Sequence, residues 1–209
     1  MLKITCFATV LLAGVGNAAL AQDCACAGAQ GWSKQLRTVC DVAECDNRFP
    51  SPNKQLLLRL DSKGNIRLTR VASGEELQTH SATLGAPSAM SWSPNSDAFF
   101  VNDGEGSGMW SNFRLFRIRD SQITEDDTIE KKAVALFRDR QKCGSAAVDP
   151  AVWGLGWSPD GALFYLLIQA TVDRPCGEQG SFMGATVKLA DGAVLNHLTR
   201  ISHQNWFRK

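Results

Sequence analysis

The chain has no surplus of charge. Its 22 basic and 21 acidic residues leave a formal net charge of +1, and that surplus vanishes once the first 21 residues are removed, because Lys3 goes with them. A protein that grips nucleic acid or an anionic membrane by charge carries a basic excess, so neither partner is expected. Past residue 21 no run is long and apolar enough to span a bilayer. Histidine is scarce: His80, His197 and His203 make up the set of 3, and none stands in a His-Glu-x-x-His pattern. There is no phosphate loop, dinucleotide fingerprint or paired-carboxylate motif. Gly156-Trp157-Ser158-Pro159-Asp160 approaches the Gly-x-Ser-x-Gly elbow of hydrolases, but it lacks the last glycine. Pro159 also stands where the elbow's helix would begin. The sequence therefore nominates no catalytic residue, no metal ligand and no cofactor.

What stands at the N-terminus is a targeting segment. Lys3 supplies the positive start, Phe7 to Ala13 the short apolar core, and Ala19-Leu20-Ala21 the small-x-small cleavage rule. Cleavage after Ala21 and a periplasmic or secreted location are expected. Asp23 is charged where a lipoprotein signal carries a small residue, which argues against a lipid anchor on Cys24.

Cys6 leaves with the signal. Cys24, Cys26, Cys40, Cys45, Cys143 and Cys176 remain. An even number in an exported chain reads as disulfides. The rival is a metal site built from Cys24-Ala25-Cys26 and Cys40-x4-Cys45, but paired zinc ligands usually stand two to four residues apart and an oxidising compartment competes for the thiols. Cys24 and Cys26 are too close to pair with each other without strain. Each is expected to join one of Cys40 and Cys45, stapling an arm too poor in apolar residues to fold by burial alone.

Residues 22–48 read as this cysteine-rich arm with a short helix. Ser33 opens the helical candidate, and Trp32, Leu36, Val39, Cys40 and Ala43 share its face. From residue 49 to 209 the texture is strands and turns. Trp157-Ser158-Pro159-Asp160-Gly161 stands between apolar runs, and Asp-Gly in that setting is a strong hairpin signal. The motif recurs as Trp92-Ser93-Pro94-Asn95-Ser96 and, weakened, as Pro50-Ser51-Pro52-Asn53-Lys54. Ile66 to Val71 parallels Phe113 to Ile118, and Arg70 to Gly74 parallels Lys188 to Gly192. The Ser-Pro pairs begin at 51, 93 and 158. The first spacing suits a four-stranded blade. The second implies an insertion, supplied near residues 124–141. Asp126-Asp127 and the apolar set Ile129, Ala133, Leu136 and Phe137 favour a helix there, with a strand over Ala133 to Phe137 as the alternative.

Trp-Ser-Pro-Asp-Gly-x-x-Leu-x-Phe, a loop, a strand and a closing Asp-Gly turn resemble the blades of TolB-like β-propellers. Residues 157–195 carry the resemblance best, with Trp92, Pro94, Trp157, Pro159 and Gly161 as repeat anchors. It implies a mainly β fold of antiparallel propeller-like blades, with one or two short helices and disulfides. Propellers close with four to eight blades, and three copies make an incomplete one. Cryptic strands could close it, helices could cover its edges, or two copies could combine as a homodimer. The blade register implies a Cys143–Cys176 disulfide, since both cysteines would meet at one end of the third blade.

The resemblance implies protein partners in the envelope or among secreted proteins. The loops Asn102 to Ser111 and Thr171 to Met183 should share one end of their blades. They carry Met109, Trp110, Phe182 and Met183 among glycines and charges, a composition suited to an interaction surface. Asp103 and Glu105 sit in the acidic stretch of the first loop, which offers oxygens to a cation without the ligand spacing of an EF-hand. The expected function is a non-enzymatic interaction module. The alternatives are a hydrolase whose site assembles in space around His80, His197 or an acid pair, and a periplasmic inhibitor or immunity protein.

Overall fold

The computed structural model describes residues 35–39, 47–61, 63–84, 88–104, 112–141, 150–170 and 182–198. The six cysteines of the expected disulfides, and Glu105, Met109 and Trp110, lie outside these residues.

The fold is mainly β. A first strand, β1 (Arg37–Val39), precedes three antiparallel meanders. Sheet I holds β2 (Arg48–Pro50), β3 (Leu56–Leu60), β4 (Ile66–Arg70) and β5 (Glu76–His80). Sheet II holds β6 (Ser88–Trp92), β7 (Ala98–Asp103), β8 (Asn112–Arg119) and β9 (Gln122–Glu125), with β1 on the free edge of β6. A helix, α1 (Thr128–Gln141), leads to sheet III: β10 (Ala151–Trp157), β11 (Leu163–Gln169), β12 (Phe182–Lys188) and β13 (Val194–Leu198).

The expected short helix opening at Ser33 is corrected over Arg37–Val39, which form β1; Ser33, Cys40 and Ala43 lie outside the described residues. The residues of β1 pair antiparallel with β6, Arg37 opposite Met90 and Val39 opposite Ser88. An open edge on β6 offers unpaired backbone groups, and satisfying them outweighs a weak local helical period. Val39 is then buried in the core.

One turn geometry opens all three meanders. The amides of Ser51, Ser93 and Ser158 donate to the carbonyls of Leu56, Ala98 and Leu163 at 2.9, 2.8 and 2.9 Å. The serine hydroxyls accept the amides of those same three residues at 3.0, 3.1 and 2.9 Å. The fourth residue of each turn is left-handed: Lys54, Ser96 and Gly161 have φ of 59°, 63° and 69°. Gly161 takes this conformation without a steric cost that the other two bear. The match continues on the next hairpin, where the amides of Val71, Ile118 and Leu189 donate to Gln55, Asp97 and Ala162 at 2.9, 2.7 and 2.9 Å.

The tryptophans set the step from sheet to sheet. Trp92 Nε1 donates to Phe49 O at 3.0 Å, and Trp157 Nε1 to Ser91 O at 3.4 Å. Phe49 precedes Pro50 and Ser91 precedes Trp92, so each indole reaches the equivalent carbonyl of the preceding unit. The turns also touch in a row: Asn53 N donates to Ser96 Oγ at 3.2 Å, and Asn95 Nδ2 to Asp160 O at 2.8 Å.

Sheet II is the middle layer. Strand alternation sends Ala98, Phe100, Phe113 and Leu115 toward sheet III, and Phe99, Val101 and Phe116 toward sheet I. On one side Phe99 stacks on Phe116 at 4.8 Å; on the other Phe100, Trp157 and Phe164 form an aromatic cluster. The outward side of sheet I is polar, with Arg48 and Arg67 exposed. Among the described residues the three sheets do not close into a ring.

Helix α1 fills the gap between sheets II and III. Its start is fixed by Asp126, whose carboxylate accepts the Thr128 amide at 3.1 Å. Glu130 stands in the first turn and Arg138 and Arg140 in the last, each sign matched to the helix dipole. Ile129, Ala133 and Phe137 recur every fourth residue and bury one stripe against both sheets.

Candidate functional site

The Ser-Pro turns lie at one end of the array. The expected interaction loops leave from the other, where Asp103 ends β7 and Phe182 begins β12. Phe182 is half-buried there, opposite Gln169. Met183, expected on the loop, is corrected. It lies within β12, 4% exposed, paired with Ile168 and facing the core. Strand alternation turns its side chain inward one residue after Phe182.

The first residues of the acidic loop are held by the fold. Asn102 is 5% exposed. Its Nδ2 donates to Gly154 O at 2.9 Å, and its Oδ1 accepts the Gly154 amide at 2.7 Å. This clamp has a local cause: the β10–β11 register slips between Gly154 and Gly156. A side chain from the facing sheet takes up the Gly154 backbone. The Asp103 carboxylate faces Arg114 Nη1 at 3.6 Å and accepts the Ser88 hydroxyl at 3.5 Å.

Around Arg114 stands the polar cluster that most nearly suits chemistry. Its guanidinium forks onto Glu125 at 2.7 and 2.8 Å and lies over Phe116, 5.3 Å from the ring centroid. The Arg114 hydrogen bonds hold the Glu125 carboxyl below its ordinary pKa, with burial opposing and the charges of Arg114 and His80 assisting. His80 packs edge-on to Phe116 at 5.5 Å, and its buried Nε2 stands 3.9 Å from Glu125 Oε2 without a hydrogen bond. His197 is on another sheet, in β13 opposite Ala185, and His203 lies outside the described residues.

The same ionic trio occurs in sheet I. Asp61 stands ten residues after Ser51, as Asp103 does after Ser93. Arg67 precedes Arg70 as Arg114 precedes Arg117. Glu76 pairs with Thr69, and Glu125 with Phe116, at one register position. Arg67 binds Asp61 at 3.2 Å and Glu76 at 3.3 Å. In sheet III the equivalent positions are Ile168 and Ala185, buried in the core, and Val194, half-buried against it. The trio is thus an ion-pair lattice of the repeated unit: Arg67 and Glu76 stand about half exposed on sheet I, whereas on sheet II Arg114 and Asp103 are mostly buried and Glu125 keeps an exposed edge. His80 is an addition from β5.

No protein-family model matches the chain, and no curated protein matches it. Among the described residues no group of three or more His, Cys, Asp or Glu side chains could hold a metal ion, and no helix is long and apolar enough to cross a membrane.

The trio itself went unread in the sequence. Arg67 and Arg114 fall in segments whose likeness is visible, but Glu76 and Glu125 align only once β5 and β9 are placed. One consequence is measurable in acid. Burial pushes the Asp61 carboxyl up, but hydrogen bonds from the Asn65 side chain, from the backbones of Asn65 and Lys63, and from Arg67 outweigh it. They bring its pKa to about 2 from 3.8. The folded pKa is depressed, so the stabilisation is complete above pH 4 and is lost as pH falls toward 2. Asp61→Asn should be less stable than wild type in urea unfolding at pH 7, with the gap closing by pH 2. A gap independent of pH would contradict this assignment.

Proposed function

We propose that the protein is an exported, non-enzymatic interaction module. An arc of three propeller-like blades holds its loops toward a protein partner in the envelope or among secreted proteins. The observation that carries this reading is the repeated Arg–Asp–Glu trio. The histidine-bearing cluster on sheet II is accounted for as the second copy of an ion-pair lattice, and its carboxylates are held by arginine. The blade reading is supported by the indole-to-carbonyl step that recurs between successive sheets. A protein partner is supported by the likeness to TolB-like blades, an analogy of fold alone.

The test is capture from envelope extract under non-reducing conditions, with the mature chain as bait. Trp110→Ala together with Phe182→Ala should weaken capture of the partner that wild type retains, with an unchanged melting temperature. Undiminished capture removes the loops from the proposal. A hydrolytic activity abolished by His80→Ala would replace the module with an enzyme.

A further inference from the structure

The two gaps between successive sheets are equivalent, yet among the described residues only the one between sheets II and III is filled by a helix. In the gap between sheets II and III, Arg117 projects from β8. Its guanidinium donates to the Asp126 carboxylate at 2.7 Å and to Leu189 O at 2.6 Å. Ile129 then covers the turn at Gly192, with its Cγ1 3.0 Å from where a Cβ would stand there. Lys132 Nζ donates to Asp191 O at 2.6 Å. The start of α1 thus supplies a carboxylate for the arginine and, three residues on, an aliphatic plug. Beneath it Ala98 is 1% and Leu189 8% exposed.

The gap between sheets I and II has the same parts without the plug. Arg70 stands where Arg117 does, Leu56 where Ala98 does, Ile118 where Leu189 does, and Ser121 marks the turn. These four, with Lys54 and Val71, line an open cleft of about 600 Å³. Arg70 meets Glu75 at 3.7 Å, both side chains about half exposed at 51% and 59%. Val71 is 49% exposed. Among the described residues no carboxylate lines the cleft, whereas Lys54 and Arg70 do.

We infer that this cleft receives a helix start from a partner protein, carrying an acidic residue three positions before an aliphatic one. The acid pairs with Arg70 as Asp126 pairs with Arg117. The aliphatic side chain covers Leu56 and Ile118 as Ile129 covers its own gap. The chain itself offers no spare copy of the pattern. Outside the described residues, Asp46 and Asp149 precede a large apolar residue by three. Those residues, Phe49 and Val152, are already buried in β2 and β10. The inference rests on the interaction-module reading and adds a second surface, at the opposite end from the loops.

The probe is a labelled synthetic peptide of residues 124–141, added to the full mature protein and followed by fluorescence anisotropy. Saturable binding with a Kd on the order of 10–100 μM is expected. Arg70→Glu, Val71→Asp and, in the peptide, Asp126→Arg should each weaken it at least roughly tenfold, the tenfold step being about one lost ion pair or apolar contact. Far-UV circular dichroism unchanged in Arg70→Glu confirms that the protein variant is folded. No saturable binding at millimolar peptide overturns the inference. So does binding that Arg70→Glu leaves intact, which would mean that the peptide displaces α1 from its own gap. Either failure leaves capture through the loops standing, so it is distinguishable from failure of the module reading.

Discussion

Gly154→Ala is expected to destabilise the fold by about 3 kcal/mol or more, at the upper end of what overpacking costs. A Cβ at Gly154 would stand 2.4 Å from Phe100 Cε2 and 2.6 Å from Cδ2. Phe100 has nowhere to go. It is fully buried, with its ring 5.6 Å from both Phe113 and Trp157. The methyl would pry sheet II from sheet III where Phe100 packs on β10. Urea unfolding measures the loss. Adding Phe100→Leu to Gly154→Ala should recover part of it, because the clash is with the ring. No recovery would show that the cost arises in the β10 backbone instead.

Asn102→Ala should cost about 2–4 kcal/mol, because the Gly154 amide it accepts is buried and would be left without a partner. The effect is larger than an ordinary hydrogen-bond deletion, since both the amide and the carbonyl of buried Gly154 lose their partner. Asn102→Asp keeps the acceptor for the amide but loses the donor for the Gly154 carbonyl, and buries a charge. It should therefore be no better than alanine at pH 7 and should recover on acidification as the carboxyl is neutralised. Thermal unfolding of both variants at pH 7 and pH 4 tests this. A Tm within a degree or two of wild type for Asn102→Ala would show that the clamp is not what joins the sheets.

Much of this architecture was written in local chemistry. Ser-Pro-x turns announce themselves because serine can close the turn with its own hydroxyl, proline presets φ, and the fourth residue must accept a left-handed conformation. Such requirements act within five residues and survive in sequence. The helix over Thr128–Gln141 was legible for a similar reason, with acids at its start and an apolar stripe every fourth residue. The edge strands were not. β5 (Glu-Leu-Gln-Thr-His) and β9 (Gln-Ile-Thr-Glu) bury little and read as polar loops, because an outer strand needs only one apolar contact with its neighbour. β1 misled in the other direction: its residues have helical spacing, and the partner that makes them a strand lies some fifty residues further on.

The candidate site was hidden by the same gap. With β5 and β9 unplaced, Glu76 and Glu125 had no register, and the two arginines could not be seen to hold equivalent acids. In the sequence the glycine-rich approach to Gly184 masks the start of β12 and leaves Met183 looking like a loop residue. Only the pairing of Met183 with Ile168 shows which way its side chain turns.

The repeat requires the three sheets to be copies of one unit, each closed by a buried serine. Ser51, Ser93 and Ser158 are 2%, 0% and 6% exposed. Amide hydrogen exchange at Leu56, Ala98 and Leu163 reads that closure directly, since each amide donates to its serine hydroxyl. All three should exchange slowly, and replacing any one serine by alanine should expose the amide of its own turn first. Unstructured-chain exchange at any one of the three in the intact protein would mean that its turn is not a copy of the others, and the repeat would fail.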